Sequence, residues 1–532
     1  MDTNNEYHTV IGLEIHVQLA TKSKMFGPAP NDPDEKQPNK NIDEIVTGEP
    51  GTLPVVNEEA VRLGVMVGLA LNCTIDEYSK FDRKHYFYPD LPKGYQISQY
   101  DEPIAKNGYL DIQIPVRDES DFAKASSDKF AKTPQTDDQS ATAKTRTKRI
   151  RITRAHLEED AGKNIHPEGL NYSLVDYNRA GAPLLEIVTE PDIESAEEAR
   201  IFLQELRNIV RYVGASSADM EKGTMRCEPN ISVRKPGEET LPKYKVEVKN
   251  INSFKFAEAA INYEILRQIE ILEKGKMPKQ VTMGWNEKEN KTVEQRSKEE
   301  ANDYRYFPEP DLPILHFTAE YLDHLRNNLP ELPAAKRNRF IEEYKLDDLV
   351  VENLVNWKEL TFYFEDVVSE LEAWVEADRE EKITDTKSDK ITKLVKSAAN
   401  WCLQDFSALL NAQGLNPEDA KVTPENFAEL LKSIGAGKIS LSAAKQVFKV
   451  MFEHGGEPHQ IIVDLGLAQV SDESSITVAI DKAIAENEKA VADFKAGQEK
   501  SFGFLVGKVM AEMKGKANPG VVNDLLRNKL NS

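Results

Sequence analysis

A change in the pattern of apolar residues near Pro330 constrains the fold of this chain more than any other sequence feature. Up to about Pro310, short β-rich runs are separated by Gly and Pro, which is typical of strands and loops. Beyond Pro330, apolar residues recur every three or four positions, as in 353–378 and 391–410, which is typical of helices. The sequence therefore predicts an α+β chain.

The length of 532 residues suggests about three domains, because a domain usually holds roughly 100–200 residues. We place a mixed α/β domain at 1–330, an all-α helical domain at 331–466 and a small helical tail at 467–532. The first domain is interrupted at 118–148, a segment without Ile, Leu, Val or Met. Such a segment buries too little apolar surface to offset its ordering entropy, so we expect an exposed insertion there.

Charge limits the partners that the chain can bind. It carries 68 Lys and Arg against 90 Asp and Glu, a net charge of −22, which opposes non-specific binding of nucleic acid over the whole surface. The segment 499–532 reverses this balance, with six Lys or Arg against three acids. The excess fits contacts with a phosphate backbone. Charge alone also fits a solvated helix face.

We expect a cytoplasmic protein without a membrane-spanning segment. No leader-like start and no run of roughly 18 apolar residues is found. The three cysteines are far apart and form no Cys-x-x-Cys pair, which argues against a disulfide framework and a cysteine-based zinc site.

The segment 10–19 alternates apolar residues with other residue types, which predicts a strand with one buried face. Glu14 and His16 then project side by side from the opposite face. A carboxylate and an imidazole at this spacing can share a hard divalent cation such as Mg²⁺ or Mn²⁺. A polar strand face open to water is the alternative.

A second acidic cluster strengthens the metal hypothesis. Glu158, Glu159 and Asp160 are adjacent in the sequence, and a bound cation or solvent screening would relieve their repulsion. Glu186 lies within an otherwise apolar strand, where an unpaired charge is costly. Its partner could be a cation or Arg179, so a structural salt bridge stays an alternative.

Three further clusters combine a positive side chain with residues that bend or expose the backbone. They contain Arg179 beside Gly181, Arg226 close to Gly223, and Lys249 before Asn250. Together the three cations suit a polyphosphate, although each cluster alone also fits a loop with a salt bridge.

Two common catalytic motifs are missing. Around 435–439 the sequence resembles a phosphate loop, but Lys432 and Ile439 stand where Gly and Ser or Thr are required. No G-x-S-x-G elbow or Gly/Ser-rich nucleophile loop is found, so hydrolysis of glutamine by this chain is not expected. Any ammonia that it uses must come from elsewhere.

Long motifs resemble those of one family, the B subunit of the glutamyl/aspartyl-tRNA amidotransferase GatCAB. The resemblance covers nearly the whole chain. The matching segments are 12–19, 50–54, 86–98, 156–163, 177–191, 226–230, 248–254, 303–311 and 515–519.

The resemblance implies an amino-terminal cradle domain, a helical domain and a tail similar to the YqeY family. In that family, ATP phosphorylates the side-chain carboxylate of Glu-tRNA(Gln) or Asp-tRNA(Asn), and ammonia then displaces the phosphate. An A subunit releases the ammonia from glutamine and delivers it through a channel, and a C subunit ties the two together. The tail would meet the mischarged tRNA at its elbow.

The resemblance also implies roles for single residues. By similarity, a Mg²⁺ site comprises Glu14, His16, Glu158 and Glu186, with Glu159 and Asp160 as neighbours. Arg179, Arg226 and Lys249 are the residues expected to contact phosphate or substrate. The ammonia channel is assigned to Lys84, His85, Tyr86 and Tyr88.

The chain departs from many members of this family at a zinc knuckle. Where they carry four cysteines, it has Gly27, Ala29, Asp43 and Val46. We therefore expect no structural zinc, and other contacts must hold 31–41.

Two alternatives to a catalytic subunit stay open. The chain could be a tRNA-docking scaffold whose chemistry lies in its partners, or a stand-alone Mg²⁺-dependent phosphohydrolase.

Overall fold

The computed structural model shows an α+β chain, as the sequence predicts. It describes residues 7–116, 145–167, 169–235, 238, 240–297, 304–377, 386–468, 473–513 and 517–531. The chain divides into two compact units, Met1–Pro333 and Ala334–Ser532. Our division of the chain into three domains stays a prediction. Most of the predicted insertion, 118–144, lies outside the described residues, whereas 145–148 are the first residues of a strand.

The first unit contains the strands of the described chain. They are β1 (His8–Gln18), β2 (Tyr78–Ser79), β3 (Asp82–His85), β4 (Tyr95–Ser98), β5 (Ala105–Pro115), β6 (Thr145–Glu159), β7 (Lys163–Ile165), β8 (Leu174–Asp176), β9 (Pro183–Thr189), β10 (Met225–Arg234), β11 (Val246–Lys249), β12 (Val281–Asn286), β13 (Lys291–Ser297), β14 (Phe307–Pro308) and β15 (Leu315–His316).

One eight-stranded sheet organises this unit, in the order β13-β12-β11-β10-β1-β9-β6-β5. Its neighbours are antiparallel except for β11 and β12, which are parallel. Smaller sheets pair β14, β3 and β4, then β15 with β2, and β7 with β8.

The helices of the first unit are α1 (Glu44–Thr47), α2 (Glu58–Ala70), α3 (Ala196–Val213), α4 (Phe254–Glu273) and α5 (Ala319–Asn327). The start of α3 follows from its sequence, because the Ser195 side chain accepts a hydrogen bond from Glu198 N, which is an N-cap. The helix ends at Gly214, whose φ of 78° is left-handed.

One face of the large sheet packs on the hydrophobic core. Ile11, Leu13 and Ile15 of β1 are buried there with residues of α2, α3 and α4. Because side chains alternate along a strand, Glu14 and His16 project from the opposite face. We call this opposite side of the sheet the charged face.

A bulge in β6 determines which residues reach the charged face. The pairing of β6 with β9 shifts by one residue between Ile152 and Arg154. Ile152 is buried in the core, and so are Ala155 and Leu157 beyond the shift. A bulge exchanges the two faces of a strand, so Arg154, His156 and Glu158 all project from the charged face.

The second unit is helical in its described part. Its helices are α6 (Pro333–Glu342), α7 (Asp348–Val355), α8 (Lys358–Ala377), α9 (Thr386–Trp401), a π-helical turn (Cys402–Phe406), α10 (Ser407–Gln413), a 3₁₀ turn (Pro417–Asp419), α11 (Pro424–Gly435), α12 (Leu441–His454), α13 (Pro458–Asp464), α14 (Glu473–Glu486), α15 (Glu488–Lys495), α16 (Glu499–Glu512) and α17 (Pro519–Asn531). The last four helices pack around Ile480, Leu505 and Leu526. Among the described helices, none is long and apolar enough to cross a lipid bilayer.

Hydrogen bonds hold the segment 29–46, which contains three of the four positions that we compare with the zinc knuckle. The Asp43 carboxylate accepts hydrogen bonds from Val46 N at 2.7 Å and from Ala29 N at 2.9 Å. The Asn178 side chain binds Lys40 N at 2.7 Å and Asn41 N at 2.9 Å. These bonds tie 29–46 to itself and to the loop before β9.

Candidate functional site

The register of the sheet brings predicted residues together on the charged face. His16 of β1 lies opposite Glu186 of β9, and Glu186 lies opposite His156 of β6. His16 Nε2 is 3.3 Å from a Glu186 oxygen and 3.9 Å from a Glu158 oxygen. The ligand atoms of these three residues lie within 4.8 Å of one another, which allows them to share one metal ion. We call His16, Glu158 and Glu186 the first acidic group.

His156 is a member of this cluster that we did not select from the sequence. Its Nε2 lies 3.5 Å from Glu186 and 3.7 Å from Glu158. The side chain is buried, and its Nδ1 has no hydrogen-bond partner in the described part of the chain. The two carboxylates are thus flanked by an imidazole on each side.

Mutual attraction keeps the first acidic group charged despite burial. Burial acts to raise the pKa of Glu186, but His156, His16 and Lys84 outweigh it and hold this pKa well below its ordinary value. For His16, burial acts to lower the pKa, whereas Glu186 and Glu158 raise it to about 9. A cation bound here would compete with the proton on His16, since metal ligation requires neutral imidazole.

Glu14 belongs to a neighbouring cluster and not to the first acidic group. It lies opposite Glu228 of β10, and its ligand atom clusters with those of Glu228 and Glu247. We call these three residues the second acidic group. Burial, followed by the charge of Glu186, raises the pKa of Glu14. The predicted single site around Glu14, His16, Glu158 and Glu186 is therefore two adjacent clusters in the structure.

The second acidic group has an unused oxygen donor beside it. Asn230 Nδ2 donates to Glu14 at 2.9 Å, while Asn230 Oδ1 is buried and has no hydrogen-bond partner among the described residues. Thr282 donates to Glu247 at 2.9 Å. Carboxylate and amide oxygens are the ligands that Mg²⁺ prefers, so the residues present fit a hard cation.

The other two acids of the sequence cluster point elsewhere. Glu159 follows Glu158 on the strand and therefore projects from the other face, where it binds Lys93 Nζ at 2.5 Å. Asp160 binds Arg226 at 2.5 Å and lies 3.5 Å from Arg179. Neither acid joins the two acidic groups.

The three predicted phosphate contacts already have partners. Arg179 donates to the carbonyl oxygens of Ala161 at 3.0 Å and Gly162 at 2.7 Å. Arg226 is paired with Asp160, and Lys249 Nζ is 2.7 Å from Glu228. Arg179 is therefore a partner of Asp160 and not of Glu186.

The four predicted channel residues separate into two pairs. Burial acts to lower the pKa of Lys84, but the charges of Glu158, Tyr306 and Glu186 outweigh it and raise this pKa, so Lys84 is electrostatically coupled to the first acidic group. Tyr86 and Lys84 both approach the ring of Tyr304, at 6.3 and 5.2 Å from its centroid.

The other pair has different surroundings. The ring of His85 stacks on Phe307, with centroids 5.1 Å apart. The Tyr88 side chain is largely exposed.

Several site residues were missed although a signal was present. Glu228 and Asn230 alternate with apolar neighbours on β10, as Glu14 and His16 do on β1, and Glu247 does so on β11. The same period of two therefore marks all three strands of the second acidic group. The cross-strand register that brings them together is not visible in the sequence.

Comparisons with known proteins identify the family of the chain. The family model of the GatB/GatE catalytic domain matches residues 9–323, and that of the GatB domain matches residues 381–530. Aspartyl/glutamyl-tRNA(Asn/Gln) amidotransferase subunits B are among the similar proteins. The one from Thermotoga sp. (strain RQ2) is 45% identical over 98% of this chain and 99% of its own length. That of Carboxydothermus hydrogenoformans is 44% identical over 99% of both chains. The chain therefore belongs to the GatB family.

Proposed function

We propose that this chain is the subunit of a tRNA-dependent amidotransferase that activates a carboxylate carried by tRNA and converts it to an amide. The substrate is Glu-tRNA(Gln), Asp-tRNA(Asn) or both, and ATP is the phosphoryl donor. The observation that carries the proposal is the pair of acidic groups on one rigid sheet face. Membership of the GatB family supports the amidotransferase part.

The reaction needs activation because a free carboxylate would have to expel oxide. In the first step, a substrate carboxylate oxygen attacks the γ-phosphorus of ATP, ADP leaves, and an acyl phosphate forms. In the second step, ammonia attacks the acyl carbon, and the phosphate leaves with the proton that nitrogen loses. The first step brings two anionic groups together and the second expels an anionic phosphate, so positioning and charge compensation dominate catalysis.

The residues of the charged face fit these needs. The first acidic group would hold Mg²⁺, which supplies positive charge for the phosphoryl oxygens when bound. Glu14 and its neighbours offer ligands for another cation. Lys84 keeps its ammonium charge beside these carboxylates and would bind the anionic substrate. Tyr304 contacts both Lys84 and Tyr86, and the two aromatic rings would limit the access of water to the acyl phosphate.

The ammonia must be supplied by a partner, because the chain carries no amidase motif. We propose a heterotrimer with an A subunit that hydrolyses glutamine and a C subunit that joins the two. Of the four channel candidates, Lys84 and Tyr86 are the ones whose pKa values respond to the charge of Glu158, and we assign the ammonia path to these two.

Single substitutions in the assembled trimer test the catalytic role. His16→Ala and Glu14→Ala should abolish the formation of amidated tRNA, while glutamine hydrolysis by the complex largely persists. His8→Ala is the matched control, since His8 lies on β1 but is exposed at its far end. Retained amidation in both site variants would contradict the proposal.

Ammonium chloride separates this proposal from a tRNA-docking scaffold. A trimer whose A subunit lacks glutaminase activity should still amidate mischarged tRNA when ammonium is added. If no amidation occurs, while tRNA is still bound, the scaffold is favoured. Turnover of ATP without tRNA or partners would instead indicate a phosphohydrolase. Assays with both mischarged tRNAs identify the substrate.

A further inference from the structure

Arg154 is a positively charged residue of the charged face that has no role in the site described so far. On the sheet it lies opposite Val188 of β9, and Val188 lies opposite Glu14 of β1. Neighbouring strands are about 4.8 Å apart, so roughly 10 Å separates the backbones at Arg154 and Glu14. His156 follows two residues later on the same face. Arg154 thus borders both acidic groups.

The environment of Arg154 differs from that of the other arginines at the start of β6. Arg146 pairs with Glu198, Arg149 with Asp111 and Arg151 with Asp192, at 2.6–2.9 Å. Arg154 is partly buried, yet its guanidinium has neither an ion pair nor a hydrogen bond within the described residues. Across the sheet, its neighbour Lys106 is itself paired with Asp76.

A partly buried guanidinium without a partner is unfavourable in the free protein and available to an anion. Its planar donors match two oxygens of a phosphate group. Arg226 and Lys249, which we predicted as phosphate contacts, are each neutralised by an acid. A second anion would therefore have to displace an internal carboxylate from either of them. At Arg154 it would meet a guanidinium free of any such carboxylate.

The bulge explains why Arg154 is directed to this place. Without the one-residue shift after Ile152, the strand alternation would turn Arg154 toward the core side of the sheet. Thr153, the residue in the bulge, is held by a hydrogen bond to Glu190 at 2.7 Å.

We propose that Arg154 binds a phosphate group of the nucleotide on the charged face, across Val188 from Glu14. This inference rests on the proposed function, because it assigns a residue to the ATP of that reaction. The contact is a bidentate hydrogen bond between the guanidinium and two non-bridging oxygens.

The test uses the reconstituted trimer with ammonium chloride as nitrogen donor. Arg154→Gln should raise the KM for ATP roughly tenfold or more, because a charge-assisted contact is lost. Arg154→Lys should recover part of this loss, since it keeps the charge without the planar fork. Binding of Mn²⁺ alone and the KM for ammonium should not change.

Arg151→Gln is the matched control. Arg151 lies on the same strand, is exposed and pairs with Asp192, so the KM for ATP should stay at the wild-type value. If Arg154→Gln does not fold, the comparison rests on Arg154→Lys, whose KM for ATP should still rise.

Two outcomes would overturn the assignment. One is an unchanged KM for ATP in both Arg154 variants. The other is an increase confined to the KM for mischarged tRNA, which would make the bound anion part of the tRNA substrate. In either case an active wild-type trimer leaves the proposed function intact. Failure of the wild-type trimer to consume ATP with ammonium would instead contradict the proposed function.

Discussion

Substitution of Asp43 by alanine should loosen the segment that stands in place of the zinc knuckle. One carboxylate oxygen caps α1 through Val46 N, and the other accepts from Ala29 N. Gly27 lies against the same carboxylate, where an added Cβ would be 2.3 Å from Oδ2. Asp43 therefore hydrogen-bonds to Ala29 and Val46 and lies against Gly27, the other three positions that we compare with the zinc knuckle.

The size of the effect follows from the two bonds. Loss of an N-cap costs about 0.5–2 kcal/mol. A hydrogen bond to a charged group contributes about 1.5–3 kcal/mol. Because the two losses overlap, Asp43→Ala should lower the free energy of local opening by about 2–4 kcal/mol, which accelerates exchange about 30- to 900-fold.

Amide hydrogen exchange measured by mass spectrometry on peptides covering 25–48 provides the assay. Asp347→Ala is the control, since Asp347 also precedes a helix but its side chain makes no capping hydrogen bond. Exchange around α7 should stay within a few-fold of the wild type. Equal effects of the two substitutions, or unchanged exchange at 25–48 in Asp43→Ala, would refute the reasoning.

Three further predictions concern the cysteines, Lys24 and the tail. The three cysteines are buried, and burial raises the pKa of the Cys73 thiol to about 12, so the folded chain should not react with a thiol reagent at pH 8, whereas the urea-unfolded chain should. Burial also lowers the pKa of Lys24 from 10.5 to about 8, so the folded chain loses this proton earlier than the unfolded chain. The stability of the wild type relative to Lys24→Met should therefore rise by about 3 kcal/mol from pH 8 to 10.5, as measured by urea unfolding followed through Trp285 with the other tryptophans replaced. Deletion of 466–532 should weaken tRNA binding and reduce its salt dependence, and equal affinities across a salt series would exclude tRNA docking by the tail.

The regular elements of the fold could be predicted because their signals are local. Alternation in 10–19 predicts β1, and the capping pattern at Ser195 predicts the start of α3. The apolar stripe of Ile261, Ile265 and Ile269 likewise predicts a helix over about 257–275. In the structure α4 runs from Phe254 to Glu273, because Ser253 caps it earlier. The observed start is three residues earlier than the predicted one. The sequence does not signal this start, because the first turn after Ser253 lacks the acid that usually accompanies a cap.

The composition of the acidic groups could not be predicted from spacing alone. Adjacency in the sequence predicts that Glu158, Glu159 and Asp160 form one cluster. On a strand, adjacent side chains project from opposite faces. Because Glu158 and Glu159 both lie on β6, their side chains are on opposite sides of the sheet. Asp160 follows the end of β6 and meets Arg226.

The pairing of charges in the folded sheet also decides which cations are available to a ligand. Charge in the sequence predicts Arg226 and Lys249 as phosphate contacts, but a cation is available to a ligand only if no acid of the protein is already paired with it. Asp160, which pairs with Arg226, is 66 residues away in the chain, so this pairing depends on how the strands come together. In β6, a single bulge moves Arg154 to the charged face without giving it an acid. A site that binds polyphosphate needs such an unpaired positive charge. Which cations stay unpaired is determined by the assembled sheet and cannot be seen in the sequence.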